Sequence, residues 1–245
     1  MKIALVGASG YAAYYLSLYE EYINEKEHPI CAVIDPFAAR SEYADWIRAR
    51  RIPVYETLDD FYRHDAAALV MIVSPIAFHR EQAITAMEHA SAVLCEKPLT
   101  ATLEDAEAIR AVWHKTKVPF GVGFQWSFSK TMRALKGDII SGRLGKPLCL
   151  RTHTSWKRPD AYYDPDGWKG RLKDRAGRWV MDSIAMNATA HFLHNLFFIM
   201  GEEMDASMLP EWIEGSVYRA RAIESYDTIF LRGSFKNGCR MAYTA

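Results

Sequence analysis

Short apolar runs recur through the first half of the chain, at 2–7 (KIALVG), 30–35 (ICAVID), 52–55, 66–73 (AAALVMIV), 92–95 and 120–124. Such runs read as buried strands. Stretches of helical character separate them, over 11–26, 41–50, 77–89 and 102–115, with a short helix opening near residue 58. Start signals support three of these helices. Ser41 is a candidate N-cap, Thr57-Leu-Asp-Asp60 resembles a capping box, and Thr102-Leu-Glu-Asp105 repeats that pattern. Strands apolar throughout and alternating with helices predict a parallel sheet covered on both faces. Right-handed crossovers then give a doubly wound, Rossmann-type α/β sheet.

The pattern changes after Phe124. Residues 125–180 are rich in Trp, Tyr, Arg, Lys, Asp and Gly, with few long periodic runs. Asn187–Met200 is a strongly apolar helix candidate, and 216–245 alternates like strands, with Asn237-Gly238 in a hairpin turn. Strands that follow helices without βαβ alternation suggest an α+β unit. The expected division is therefore 1–122, a dinucleotide-binding domain, and 123–245, an α+β domain. The chain stops inside an apparent strand, CRMAYTA. That predicts an unpaired sheet edge, covered by another chain or continued in a longer sequence.

Composition narrows the partners. The 245 residues carry 30 Lys+Arg against 30 Asp+Glu, so nothing global favours nucleic acid or an anionic membrane. Met1-Lys2 runs directly into the first strand, which leaves no room for a signal peptide, and no apolar run approaches the ~20 residues of a membrane helix. Cys31, Cys95, Cys149 and Cys239 are widely spaced, with no CxxC or Cys/His ligand pattern. They read as reduced thiols of a cytoplasmic protein without a metal site.

The first strand ends in Gly7-Ala-Ser9-Gly10-Tyr11-Ala12. Against the fingerprint G-x-G-x-x-G/A, Gly7 and Ala12 match, Ser9 stands at the second position, and Gly10 adds backbone freedom one place later. Small residues here let the backbone approach a pyrophosphate, and the helix start offers free N–H groups and partial positive charge. Asp35 closes the second strand, where a carboxylate accepts hydrogen bonds from ribose hydroxyls and repels a 2′-phosphate. NAD is therefore expected over NADP, although Arg40 is near enough in sequence to hold a 2′-phosphate.

Glu96-Lys97-Pro98 follows the fifth strand, at the carboxyl end where open α/β sheets bind ligands. With Gly7-Ala-Ser-Gly10, Ser74-Pro-Ile-Ala-Phe-His79, Gly123-Phe-Gln, Leu135 to Gly145-Lys-Pro147 and Asn187-Ala-Thr-Ala-His191, the ordered set resembles the glucose–fructose oxidoreductase / inositol dehydrogenase family (Gfo/Idh/MocA). The resemblance implies a second domain with an open-faced, mostly antiparallel sheet that commonly forms the dimer face. It implies hydride transfer between NAD(P) and a hydroxyl carbon of a sugar, cyclitol or related polyol, in a homodimer or homotetramer. Lys97 matches the family's active-site lysine and His191 its catalytic histidine. Ser74, Pro75 and His79 match the segment lining the cofactor, and Glu96 a residue near the nicotinamide. Family members usually run longer, through further strands of the second sheet. The chemistry suits these residue types: a histidine of pKa near 7 accepts a hydroxyl proton, and an ammonium stabilises the charge developing on that oxygen.

Two features depart from the pattern or extend it. Many members carry Asp-x-x-x-His where this chain has Asn187…His191, and Asp182 lies five residues after Gly177. Either Asp182 or Asn187 fills the acidic position. His194, on nearly the same helix face, reads as structural. The stretch Trp156-Lys-Arg158-Pro-Asp-Ala-Tyr-Tyr163, with Trp168 beyond, offers flat rings for sugar faces and cations for hydroxyl or carboxylate groups. Two alternatives keep the scaffold but change its use: a glycosidase that employs NAD for transient oxidation, and a non-catalytic NAD-binding regulator.

Overall fold

The computed structural model describes residues 1–22, 29–163 and 167–245, so positions 23–26 of the helix expected over 11–26 lie outside the described residues. Two compact units divide at Gly123/Phe124.

The first unit is a six-stranded sheet of β1 (Ile3–Val6), β2 (Ile30–Ile34), β3 (Val54–Tyr55), β4 (Leu69–Ile72), β5 (Ala92–Cys95) and β6 (Phe120–Val122). All neighbours are parallel, in the order β3-β2-β1-β4-β5-β6. Period two explains the uniformly apolar runs. In β1, Ile3 and Leu5 point to one face, with Leu16 of α1 (Tyr11–Tyr22) and Trp46 and Ile47 of α2 (Ala44–Ala49). Ala4 and Val6 point to the other, with Phe61 of α3 (Leu58–Tyr62), Ala83 and Met87 of α4 (His79–Glu88) and Ile109 of α5 (Leu103–Thr116). Both faces are covered, as a doubly wound sheet requires.

The capping signals resolve differently. Thr57 accepts from the N–H of Asp60 at 3.1 Å and Thr102 from that of Asp105 at 3.3 Å, so both cap as expected. Ser41 does not: Tyr43 precedes α2 without a side-chain cap. The Ser41 hydroxyl instead donates to the carbonyl of Ala8 and accepts from the N–H of Tyr43 at 3.0 Å. It braces the glycine turn rather than a helix.

The second unit begins with α6 (Lys130–Ile140), capped by Ser129, which accepts from the N–H of Met132 at 3.3 Å. Its four-stranded sheet comprises β7 (Cys149–His153), β8 (Trp212–Tyr218), β9 (Thr228–Ser234) and β10 (Arg240–Thr244), in the order β7-β10-β9-β8. Only β7 and β10 run parallel. The helix expected from Asn187 opens later: Ile184–Ala188 is a π-helical turn, and α7 (Ala190–Ile199) follows it. Ala185, Leu196 and Met200 pack with Ile229, Met241 and Tyr243 into the core on one face of the sheet. On the other face Phe230 is exposed, and β8 is exposed along its whole length. The expected edge at the last strand is corrected by this topology. β10 pairs on both sides, and the edges are β7 and β8.

Candidate functional site

In the first unit the strand order reverses between β1 and β4, where a doubly wound sheet opens a crevice at its carboxyl ends. A cavity of about 610 Å³ lies there, lined among others by Gly7, Ser9, Asp35, Phe37, Ser74 and Pro75. Gly7 has φ +105°, and a Cβ on it would stand 3.1 Å from the carbonyl oxygen of Val73 and 3.3 Å from the Cβ of Ala12. A side chain is excluded there by conformation and by space. Gly10 also has positive φ, +62°, with nothing crowding it. Ala12 is fully buried and Tyr11, which opens α1, is exposed.

Asp35 organises this turn as well as lining the cavity. One carboxylate oxygen accepts from the N–H of Ala8 at 2.8 Å, the other from the N–H of Phe37 at 2.8 Å. The acid thus joins the glycine turn to the loop after β2 and leaves lone pairs for a ligand. The Arg40 guanidinium lies 5.3 Å from the Phe37 ring centroid, beside the cavity wall. Ser74 donates to Gln82 Oε1 at 2.5 Å.

His79 occupies a different place from the cavity-lining one expected of it. It is 1% exposed, with Nε2 2.8 Å from the carbonyl oxygen of Ser74 and Nδ1 3.1 and 3.2 Å from those of Pro98 and Leu99. It ties the turn after β4 to the turn after β5. Burial pushes its pKa down, against the three carbonyls that favour its protonated form.

The turn after β5 has a cis Lys97–Pro98 peptide and a half-buried Lys97. Glu96, 7% exposed, accepts on Oε1 from the hydroxyl of Tyr15 at 2.6 Å and on Oε2 from the backbone N–H of Lys97 at 3.1 Å. Burial raises the Glu96 pKa, opposed by these two bonds and by the Lys97 charge. The Tyr15 hydroxyl is pushed well above its usual range by burial and by Glu96. A Cβ at Gly123 would fall 2.8 Å from Glu96 Oε1, so the glycine makes room for the carboxylate. No local motif announced Tyr15: the contact joins α1 to the turn after β5 across 81 residues of sequence.

In the second unit, Asp182 and Asn187 are not alternatives in space. The amide Nδ2 of Asn187 donates to Asp182 Oδ1 at 2.9 Å, and the N–H of Gly170 donates to Oδ2 at 2.6 Å. Asp182 is 3% exposed and borders a second cavity of about 430 Å³, together with Trp156, Arg158 and Tyr163. Trp168 is half-buried and does not line that cavity. His191, 6% exposed, stacks on Trp126 with ring centroids 4.8 Å apart and meets Phe124 edge-on. His194 stacks on Phe124 at 4.0 Å and bonds Ser127 at 2.9 Å. Burial, then the Lys136 charge, lowers its pKa to about 4.

The family model GFO_IDH_MocA, an oxidoreductase family with an NAD-binding Rossmann fold, matches residues 1–124. The chain belongs to this family. Among curated relatives of this Gfo/Idh/MocA chain, D-xylose 1-dehydrogenase [NADP(+)] from Haloarcula marismortui is 32% identical over 128 residues, 52% of this chain and 36% of the relative. Inositol 2-dehydrogenase from Corynebacterium glutamicum (strain R) is 31% identical over 157 residues, 62% of this chain and 44% of the relative. The chain thus spans under half the length of these relatives. In fold it is similar to the WlbA dehydrogenase from Bordetella pertussis in complex with NADH and UDP-GlcNAcA, with TM-score 0.83 and 21% identity over 100% of this chain and 69% of that one.

Proposed function

We propose that this Gfo/Idh/MocA chain is an NAD-dependent oxidoreductase, with NADP the alternative cofactor, acting on a hydroxyl carbon of a sugar, cyclitol or related polyol. The observation that carries the reading is the cavity at the strand-order reversal, where Gly7 excludes a side chain and Asp35 is held by two backbone N–H groups. That is the shape and chemistry of a dinucleotide cradle. Relatives named as sugar and inositol dehydrogenases support the substrate class.

Bound nicotinamide supplies the hydride acceptor or donor. The chain's own residues supply the rest. Gly7, Ser9 and Gly10 bring backbone to the phosphates beside the start of α1, and Tyr11 and Ala12 open that helix. Asp35 offers lone pairs to ribose hydroxyls, and Ser74 and Pro75 form the opposite wall. Glu96 fixes the Lys97 backbone through its 3.1 Å bond. Lys97 then donates to the substrate oxygen and stabilises its developing charge. In the second unit His191 is the residue of the right chemistry to accept a proton, its ring plane set by stacking on Trp126. Asp182 orients the Asn187 amide towards a substrate hydroxyl. Trp156, Arg158 and Tyr163 belong to the substrate side at the second cavity, with Trp168 outside its lining.

Two wider features complete the proposal. Copies of the chain pair through the exposed β8 face, as a homodimer or homotetramer, and the four free cysteines fit a cytoplasmic setting. Among the described residues no helix is long and apolar enough to cross a membrane.

The test offers NAD and NADP separately with a panel of sugars, sugar acids and inositols, and follows nicotinamide absorbance. Reduced nicotinamide formed from a polyol is the expected result. Cofactor binding without turnover of any panel member would overturn the reading.

A further inference from the structure

We propose that the second unit's cavity is built for a sugar bearing an anionic group, a carboxylate or a phosphate, with Arg158 as the residue that holds the charge. Taking that sugar as the substrate rests on the oxidoreductase reading above; the binding site itself does not.

The cavity, about 430 Å³, is within the size range of small-molecule sites. Lys157, Arg158 and Arg221 border it, with the rings of Trp156, Tyr162, Tyr163 and Tyr226. Its two carboxylates are already engaged by the chain. Asp182 receives the Gly170 N–H and the Asn187 amide. Asp227 receives the N–H groups of Ala220 and Arg221 at 3.0 and 2.9 Å and the Thr228 hydroxyl at 3.2 Å. Arg221 is engaged too, paired with Asp160 and donating to the carbonyl of Arg158 at 2.9 Å. It positions the loop that carries Arg158.

Arg158 differs from its neighbours. Its guanidinium lies 4.3 Å from the Trp156 ring centroid and 5.0 Å from that of Tyr162, whose hydroxyl it also hydrogen-bonds. Its Nε is buried without a hydrogen-bond acceptor, and among the described residues no carboxylate pairs with it. A guanidinium at the wall of a cavity, met by ring faces and a phenol while the nearby acids are taken by backbone N–H groups, an amide and a hydroxyl, lacks an anionic partner. The surrounding aromatic faces suit the apolar face of a sugar ring.

The experiment titrates the chain with glucuronate, glucose 6-phosphate and glucose by calorimetry, at low and high salt, in the parent, Arg158→Gln and Arg158→Lys. At least one anionic sugar is expected to bind about tenfold or more tighter than glucose. Salt should narrow the advantage, R158Q should abolish it, and R158K should keep part of it, which separates lost charge from lost folding. Whichever anion holds the advantage identifies carboxylate or phosphate. Equal binding of all three sugars, or an anion preference that persists in R158Q, would overturn the site. NAD-dependent turnover of neutral polyols without anion preference would remove this inference and leave the oxidoreductase reading. Arg158-dependent anion binding without turnover would do the reverse.

Discussion

At the residue scale, the half-buried Tyr15 and the buried Glu96 form the pair on which the Lys97 turn rests. Tyr15→Phe deletes a donor to a carboxylate that is 7% exposed, leaving the Lys97 N–H on its other oxygen. Leaving that oxygen short of a donor should cost the first unit about 1–3 kcal/mol. Chemical denaturation would show it, and an unchanged midpoint would contradict the role given to Tyr15. His194 makes a pH prediction in the second unit. Its pKa in the fold is about 4, below the usual 6.5, through burial and then Lys136. The unfolded chain therefore takes up this proton first as pH falls. The contribution to stability is complete above about 6.5 and is lost as pH drops from there through 4. Urea midpoints across that window should fall less steeply in His194→Gln; an identical slope would refute the assignment. These roles were only partly legible in sequence. Asp35 and Lys97 sit where spaced motifs put them, because strand ends are fixed by local pattern. Tyr15 acquires its partner only when the sheet assembles, and His79 lies within a legible motif but turns inward to bond Ser74, Pro98 and Leu99.

At the element scale, the strand-to-helix turn of β1 and α1 is held by geometry and by Asp35 together. Gly7→Ala forces a side chain into φ +105° and against the Val73 carbonyl. The expected loss is about 1–3 kcal/mol, with weaker NADH binding measured by fluorescence titration. Parent-like stability and affinity would show that the turn tolerates a Cβ. The elements easiest to read were those with one dominant signal: the apolar strands of the first sheet, the threonine caps and the Asn-Gly hairpin. Helix α6 was not read: the residue it buries most deeply is a lysine, Lys136, while Leu135 and Ile140 of its apolar stripe stay exposed. Strand β7 was missed for a related reason: it is a half-exposed edge with only alternate positions partly covered. Ser41 read as a cap because sequence shows the hydroxyl but not the Ala8 carbonyl that captures it.

At the scale of the whole molecule, the two units solve different problems. The first buries both faces of its sheet. The second buries one and leaves β8 exposed, with Trp212, Ile213, Val217 and Tyr218 towards solvent. If copies pair there, Tyr218→Lys, on the same face as the exposed Phe230, places a charge in a packed face. Light scattering should then show the parent as an oligomer and the variant shifted towards monomer; a monomeric parent would remove the proposal. The family resemblance implied an open sheet but not which strands form its edges, because β10 enters between β7 and β9 rather than beside the preceding strand alone.

The role proposed for the Lys97 turn is to serve hydride exchange at a bound nicotinamide. It is tested most directly by the initial rate of reduced-nicotinamide formation from the best polyol of the panel, in the parent and in Lys97→Ala. A fall of about a hundredfold or more is expected in the variant, with NAD affinity retained by calorimetry. A Lys97→Ala chain that turns over polyol as fast as the parent would contradict it.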